Sequence, residues 1–167
     1  MLFVLAKNNL VGKIPPQFSP LSKLRNINLQ FNNLTGEILP SLGNLSSLKM
    51  FATSAKTLEG SIPSSLCQLK KFTVLSSGLN RLSGIIPSCM CSLSGIVTFE
   101  VVLNQTQGNL PSDLINVFPN LQFFSINMYQ FTGAIPWSIS NATYGSYVVS
   151  MFTQKIHRSG DKYTKAS

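Results

Sequence analysis

Glycine and hydrophobic positions recur along most of this chain at a fixed spacing. Six glycines follow one another at intervals of 24, 24, 24, 24 and 25 residues: Gly12, Gly36, Gly60, Gly84, Gly108 and Gly133. An aliphatic residue stands two positions after each of them: Ile14, Ile38, Ile62, Ile86, Leu110 and Ile135. Units that stay in phase over this length indicate an internal repeat. We number the units coil one to coil six by their glycines.

Further apolar columns keep the same phase and define the expected core. The column nine residues before the glycine holds Phe3, Ile27, Phe51, Leu75, Phe99 and Phe124. The column six residues after it holds Phe18, Leu42, Leu66, Met90, Leu114 and Ile139. One coil cannot bury these residues alone, but stacked coils join each column into a continuous core. Alternation around the first column predicts a short strand in every coil.

A polar column lies four residues before the glycine. It holds Asn8, Asn32, Asn80 and Asn104, and it is interrupted by Lys56 and Tyr129. Since buried amides need partners, we expect these asparagines to bind backbone groups where each strand ends. The glycine that follows permits a backbone conformation that a side chain would resist. Other columns are broken by polar residues, where we expect damaged strand cores: Thr53, Ser77 and Thr106.

The repeat resembles a known motif. The pattern Leu24-x-x-Ile27-x-Leu29-x-x-Asn32-x-Leu34-Thr35-Gly36-x-Ile38 is similar to the plant-specific leucine-rich repeat. The stretch 104–124 (NQTQGNLPSDLINVFPNLQFF) resembles the ectodomains of plant leucine-rich-repeat receptor-like kinases. The resemblance implies an α/β solenoid, a curved right-handed superhelix of about six repeats with a parallel sheet on its concave face. It also implies a second small sheet from the Leu-x-Gly-x-Ile-Pro segments.

The same resemblance implies a function. Such ectodomains lie on the extracellular side of the plasma membrane and bind peptides, other proteins or a co-receptor ectodomain. Full-length members continue into a membrane span and a cytoplasmic Ser/Thr kinase, neither of which is found in these residues. A fragment of such a receptor, active in signalling or defence, is therefore the first hypothesis. Two alternatives stay open: a soluble secreted inhibitor or decoy, and a non-functional truncated remnant.

Residues that flank each strand core should line the concave face and contact a partner. They occupy the columns ten, eight, six and five residues before the glycine, and their mixed polar and apolar character is typical of contact surfaces. The predicted partner-binding residues are Asn26, Asn28, Gln30, Phe31, Met50, Ser54, Val74, Ser76, Thr98, Glu100, Val102, Phe123, Ser125 and Asn127.

The repeat fades near the carboxyl terminus. We assign residues 1–143 to the solenoid and 144–167 to a degenerate repeat with a basic, mobile tail. The apolar run from Tyr147 to Phe152 could add one more strand to the stack. The formal net charge is +8, yet Lys and Arg are scattered and form no basic stripe, which disfavours nucleic acid as a partner.

Cysteines and glycosylation motifs complete the candidate sites. Cys67 and Cys91 are 24 residues apart and should be neighbours on successive coils, either as a disulfide or as two semi-buried thiols. Asn33, Asn44 and Asn141 begin Asn-x-Ser/Thr motifs and are predicted glycosylation sites. Asn104 begins a fourth, but it belongs to the buried asparagine column.

Little in the sequence supports catalysis. The chain has one histidine, His157, and five acidic residues on different coils, so no Ser/His/Asp set can be assembled. We therefore expect no enzymatic activity, no cofactor and no metal site. No stretch approaches the roughly 18 apolar residues of a membrane span, and the start of the chain lacks the basic residues of a signal peptide.

Overall fold

The structure is a computed structural model of the 167-residue chain. It describes residues 1–18, 20–54, 57–110, 118–127, 131–134 and 148–152. Seven parallel strands form its main sheet, and each is hydrogen-bonded to the strand of the next coil. In order they are β1 (Leu2–Val4), β3 (Asn26–Asn28), β5 (Met50–Ala52), β7 (Val74–Ser76), β9 (Thr98–Glu100), β11 (Phe123–Asn127) and β13 (Val148–Phe152).

The register of this sheet equals the sequence repeat. Ile27 is paired with Phe51, Phe51 with Leu75, and Leu75 with Phe99, so residues of one column are neighbours in space. Between β9 and β11 the spacing becomes one residue longer, because Phe99 is paired with Phe124. The structure therefore confirms the leucine-rich-repeat solenoid that the sequence predicts.

A second strip of short strands follows the main sheet in each coil. One three-stranded sheet contains β2 (Val11–Lys13), β4 (Asn33–Glu37) and β6 (Leu58–Glu59). Another contains β8 (Ser83–Ile85), β10 (Gln105–Asn109) and β12 (Phe131–Thr132). A single bridge between Ser61 and Ser83 connects the two. All six glycines of the repeat have left-handed φ angles between 76° and 110°. Residues with a side chain rarely adopt such angles, which explains why glycine occupies these positions.

Short 3-10 helices form the opposite, convex side of the coils. They are η1 (Pro16–Phe18), η2 (Pro40–Asn44), η3 (Ser64–Gln68) and η4 (Ser88–Ser92). A proline lies at or just before the start of each, where its fixed φ and missing donor are tolerated. Each helix directs one apolar side chain of the same column into the core: Phe18, Leu42, Leu66 and Met90.

The core is one continuous cluster that runs along the stack. The central strand residues from Ile27 to Phe124 are at most 2% exposed. Phe99 lies between two other rings, with centroid distances of 6.1 Å to Phe118 and 5.7 Å to Phe124. Stacked rings at such distances add to the burial of apolar area. Each coil is thus held by its neighbours, as expected for a solenoid.

The asparagine column is confirmed as a ladder of backbone ties. The Asn80 side-chain nitrogen donates to the carbonyl oxygens of Thr53, Ser77 and Gly78 at 3.0–3.2 Å, and its oxygen accepts from the Leu58 nitrogen at 3.2 Å. Asn32 and Asn104 make equivalent bonds, each to backbone groups of its own coil and of the preceding coil. These amides satisfy backbone groups that the end of the strand leaves unpaired.

The polar residues Thr53 and Ser77 do not damage the core as predicted. Both are 0% exposed, and their hydroxyl oxygens lie 3.2 Å apart, so one hydroxyl donates to the other between adjacent coils. Thr106 differs, because its buried hydroxyl has no hydrogen-bond partner among the described residues. The expectation for Tyr129 lies outside the described residues.

The sheet continues past residue 143. Strand β13 pairs in parallel with all five residues of β11, from Phe123 with Val148 to Asn127 with Phe152. The extra strand that the apolar run Tyr147–Phe152 predicts is therefore present. The basic tail beyond it, including Lys155, Arg158, Lys162 and Lys165, lies outside the described residues.

Candidate functional site

The concave face of the main sheet presents one row of half-buried side chains in full register. Met50 is paired with Val74, and Val74 with Thr98, because these residues begin strands β5, β7 and β9. Asn26 and Phe123 extend the row in β3 and β11. All five side chains are partly exposed. A continuous surface of mixed chemistry therefore crosses five coils.

Beside this row, four polar side chains form a hydrogen-bonded network. The side-chain nitrogen of Gln30, Nε2, lies 3.1 Å from the Ser76 hydroxyl oxygen and 3.4 Å from the Ser54 hydroxyl oxygen. The Ser76 hydroxyl donates to Oε2 of Glu100 at 2.6 Å. The residues belong to coils two to five and come together only because the coils stack. Four of the predicted partner-binding residues thus form one cluster, which we call the Glu100 network.

Gly78 and Val102 shape the surface around the Glu100 network. A Cβ atom on Gly78 would lie 3.0 Å from Oε1 of Glu100 and 3.2 Å from Cγ1 of Val102. The missing side chain therefore leaves the space that the carboxylate occupies. The sequence does not reveal this role of Gly78, because it does not specify the rotamer that Glu100 adopts on the next coil.

Exposed apolar residues form a rim at the end of the strands. Phe31, Leu79 and Leu103 are 56%, 38% and 47% exposed, and their φ angles of 58°, 55° and 56° lie in the left-handed region. Such a conformation costs a non-glycine residue about 1 kcal/mol or more. All three directly precede an asparagine of the ladder, whose side-chain bonds fix the turn. The rim residues are therefore held in place by the ladder.

The remaining predicted contact residues are placed differently. Asn28 is half-buried like the row described above. Ser76, Val102 and Ser125 are only 6%, 8% and 2% exposed, so they support the surface from below more than they present themselves to a ligand. Asn127 lies in β11, where only its backbone is described.

Neither alternative expected for Cys67 holds, because it forms no disulfide with Cys91 and is not a thiol. Cys67 of η3 forms a disulfide with Cys89 of η4, with a Cα–Cα distance of 5.8 Å and a sequence separation of 22 residues. The helices η3 and η4 do keep the 24-residue spacing of the strands, since they begin at Ser64 and Ser88. The disulfide instead runs diagonally between them, from Cys67 to the residue two positions before its column counterpart Cys91.

Two of the three predicted glycosylation sites are accessible. Asn33 is exposed at the start of β4, and Asn44 is exposed at the end of η2. Asn141 lies outside the described residues. Asn104 is only 8% exposed and its amide is used by the ladder, which agrees with its exclusion as a site.

Within the part of the chain that the structure describes, no group of three or more His, Cys, Asp or Glu side chains is arranged to hold a metal ion. The same part contains no helix with the length and apolar character needed to cross a bilayer.

Sequence and structure comparisons agree with this architecture. A family model described as Leucine Rich Repeat matches residues 23–45. No curated protein matches the chain in sequence. Among solved structures, the PEPR1–AtPEP1 complex has a TM-score of 0.81 and 30% identity over 90% of this chain and 22% of that one. These data define a leucine-rich-repeat solenoid.

Two other solved structures refine the class. The Arabidopsis receptor kinase HAESA, in complex with the peptide hormone IDA and the co-receptor SERK1, has a TM-score of 0.79 and 31% identity over 89% of this chain and 25% of that one. The SOBIR1 ectodomain from Arabidopsis thaliana has a TM-score of 0.69 and 30% identity over 75% of this chain and 68% of that one. The chain belongs to the leucine-rich-repeat family of plant receptor kinase ectodomains. It spans only about a quarter or less of PEPR1 and HAESA.

Proposed function

We propose that this protein is a recognition module that binds a peptide or protein on the concave face of its main sheet. The observation that carries the proposal is the row from Asn26 to Phe123, in which five strands in register present adjacent, partly exposed side chains. An extended ligand that runs along the stack would contact several coils at once. Binding then depends on the stacked repeat and not on any single loop.

The related structures support a more specific role. The HAESA structure contains the peptide hormone IDA and the co-receptor SERK1, and the PEPR1 structure contains AtPEP1. We therefore propose that this chain recognises a peptide as part of a plant receptor-like Ser/Thr kinase, on the extracellular side of the plasma membrane. A co-receptor ectodomain would join the complex, and the signal would serve hormone or defence perception. The exposed positions of Asn33 and Asn44 are compatible with glycosylation there.

We propose binding and not catalysis for the concave face. The Ser76 hydroxyl contacts the Glu100 carboxylate, but Ser76 is 6% exposed and its proton is directed to Glu100. A hydroxyl in that position would have to leave its network to reach a substrate. The Glu100 network is therefore better suited to hold a ligand group than to attack one.

A binding selection followed by surface variants tests this function. A display library of random linear peptides is selected against the purified chain, and dissociation constants of the enriched peptides are measured by fluorescence anisotropy. We expect Met50→Arg and Thr98→Arg to weaken binding by about tenfold or more, because each places a long charged side chain in the central row. Gln68→Arg adds the same charge on exposed η3 and serves as the matched control.

The test compares the affinity of the two concave-face variants with that of the variant on η3. Retained binding by Gln68→Arg with loss in both concave variants supports the proposal. Equal affinities for all variants, or a loss confined to Gln68→Arg, would contradict it.

A further inference from the structure

Glu100 carries an unusual charge for its place in the sheet. It ends β9, and glutamate is disfavoured in strands. It is also one of only five acidic residues in a chain with a formal net charge of +8. Within the part of the chain that the structure describes, its carboxylate forms no ion pair and accepts only the Ser76 hydroxyl. The concave face thus holds a negative charge that none of the described side chains neutralises.

The hydrogen bonds around Glu100 all run in one direction. Gln30 donates to the Ser76 oxygen, and Ser76 donates its single proton to Oε2 of Glu100. This fixes the carboxylate in one orientation. An ionised carboxylate accepts about four hydrogen bonds, so Oε1 keeps its capacity for a donor from outside the protein.

The immediate surroundings favour such a donor. Oε1 lies over the space left by Gly78, and the Val102 side chain borders the same space. Apolar neighbours displace water and strengthen an electrostatic contact. Leu79 and Leu103 of the exposed rim follow Gly78 and Val102 directly in sequence. A cationic group that reaches Glu100 would therefore be partly shielded from solvent.

We propose that Glu100, oriented by Ser76 and Gln30, is a subsite for a cationic group of the ligand. This inference rests on the proposed peptide-binding function and names the ligand class: a peptide with a lysine or arginine side chain, or with a free terminal amine, at this position. Charge-assisted hydrogen bonds to a carboxylate are about twice as strong as neutral ones. The net charge of the whole chain would instead attract acidic ligands at long range. Preference for a basic group must therefore arise from local contact.

A peptide array separates these two effects. Peptides enriched on the wild-type chain are synthesised with each basic residue kept or replaced by uncharged citrulline, and each with a free or acetylated amino terminus. We expect one replacement to weaken binding by about tenfold, the loss of one charge-assisted contact. If citrulline causes the loss, the cation is a side chain; if acetylation causes it, the cation is the terminal amine.

Variants then assign the effect to Glu100. Glu100→Gln keeps an acceptor for Ser76 but loses the charge, and we expect it to abolish the difference between the charged and uncharged peptides. Glu59→Gln changes the net charge equally at an exposed position on β6 and should leave the difference unchanged. Glu100→Asp keeps the charge and should retain part of the preference, which covers the case in which Glu100→Gln does not fold.

Three results would count against the subsite. Peptide binding without any basic preference would overturn this inference and leave the proposed function intact. The same holds if Glu100→Gln and Glu59→Gln behave alike. If no peptide binds the wild-type chain, both the inference and the proposed peptide recognition are overturned.

Discussion

Gly43 lies so close to Ser65 of the next coil that a Cβ atom on it would come within 2.4 Å of the Ser65 carbonyl oxygen. The two residues are 22 positions apart, as are Cys67 and Cys89, which occupy the same positions one coil later. The contact between η2 and η3 thus repeats between η3 and η4. In the first contact, Gly43 packs against the Ser65 backbone. In the second, Cys67 and Cys89 are linked by a disulfide.

This contact predicts that Gly43→Ala destabilises the protein. The added methyl group has no space, and overpacking of this kind costs about 1–3 kcal/mol. Urea unfolding measures the change in free energy. Gly95→Ala is the control, because its Cβ would lie 3.4 Å from the Phe72 carbonyl oxygen, an ordinary contact, and Gly95 has no left-handed φ. Equal stability of the two variants would contradict the packing described for η2 and η3.

The disulfide gives a second prediction. Cys67→Ser and Cys89→Ser should each lose about 3 kcal/mol of stability, since a loop of this length is no longer closed in the unfolded chain. Cys91→Ser should leave the disulfide in place. Mass spectrometry after thiol alkylation identifies the linked pair, and unfolding curves give the stabilities. A Cys67–Cys91 crosslink in the purified protein would contradict the diagonal pairing of Cys67 with Cys89.

The buried hydroxyls give a third prediction. Thr53→Val leaves the Ser77 hydroxyl buried without its partner, and Ser77→Ala does the same to Thr53. Each single change should cost about 1–3 kcal/mol. The double variant should cost less than the sum, because it leaves no orphaned hydroxyl. Strictly additive free energies in this double-mutant cycle would show that the two hydroxyls do not interact.

The asparagine ladder gives a fourth prediction. Asn80→Ala removes the side-chain partner of the Leu58 backbone nitrogen and of the Thr53 and Gly78 carbonyl oxygens, while the Ser77 oxygen keeps its bond from Asn104. We expect a loss of about 3 kcal/mol, from more than one unsatisfied buried group. Asn8→Ala is the matched control, because Asn8 is exposed and bonds only to carbonyls of its own coil. If both variants lose a similarly small amount of stability, the ladder does not stabilise the fold as described.

The strands and core were predictable because their spacing is the repeat itself. Ile27, Phe51 and Leu75 share a column in the sequence and are paired in the sheet. Phe118 lies where the repeat itself changes its phase. The repeat between Gly108 and Gly133 has one extra residue, and Phe118 occupies the core position that Leu93 holds in the coil before.

The details of the site were less predictable because they depend on contacts between coils. The columns identified Gln30, Ser76 and Glu100 as outward positions, but not that a hydrogen-bonded chain connects them. Nor does the sequence reveal that Cys67 pairs diagonally with Cys89 and not with its column counterpart Cys91. That choice depends on which side chains of adjacent 3-10 helices face each other, which the 24-residue spacing alone does not specify.

Hydroxyl-radical footprinting tests the central claim most directly. Met50 is a reactive, partly exposed side chain on the concave face, whereas Ile85 is 64% exposed on the second strip of sheet. With a selected peptide bound, we expect the oxidation of Met50 and Phe31 to slow several-fold, and that of Ile85 to stay unchanged. Protection of Ile85 with unchanged oxidation of Met50 would place the ligand elsewhere and contradict this account.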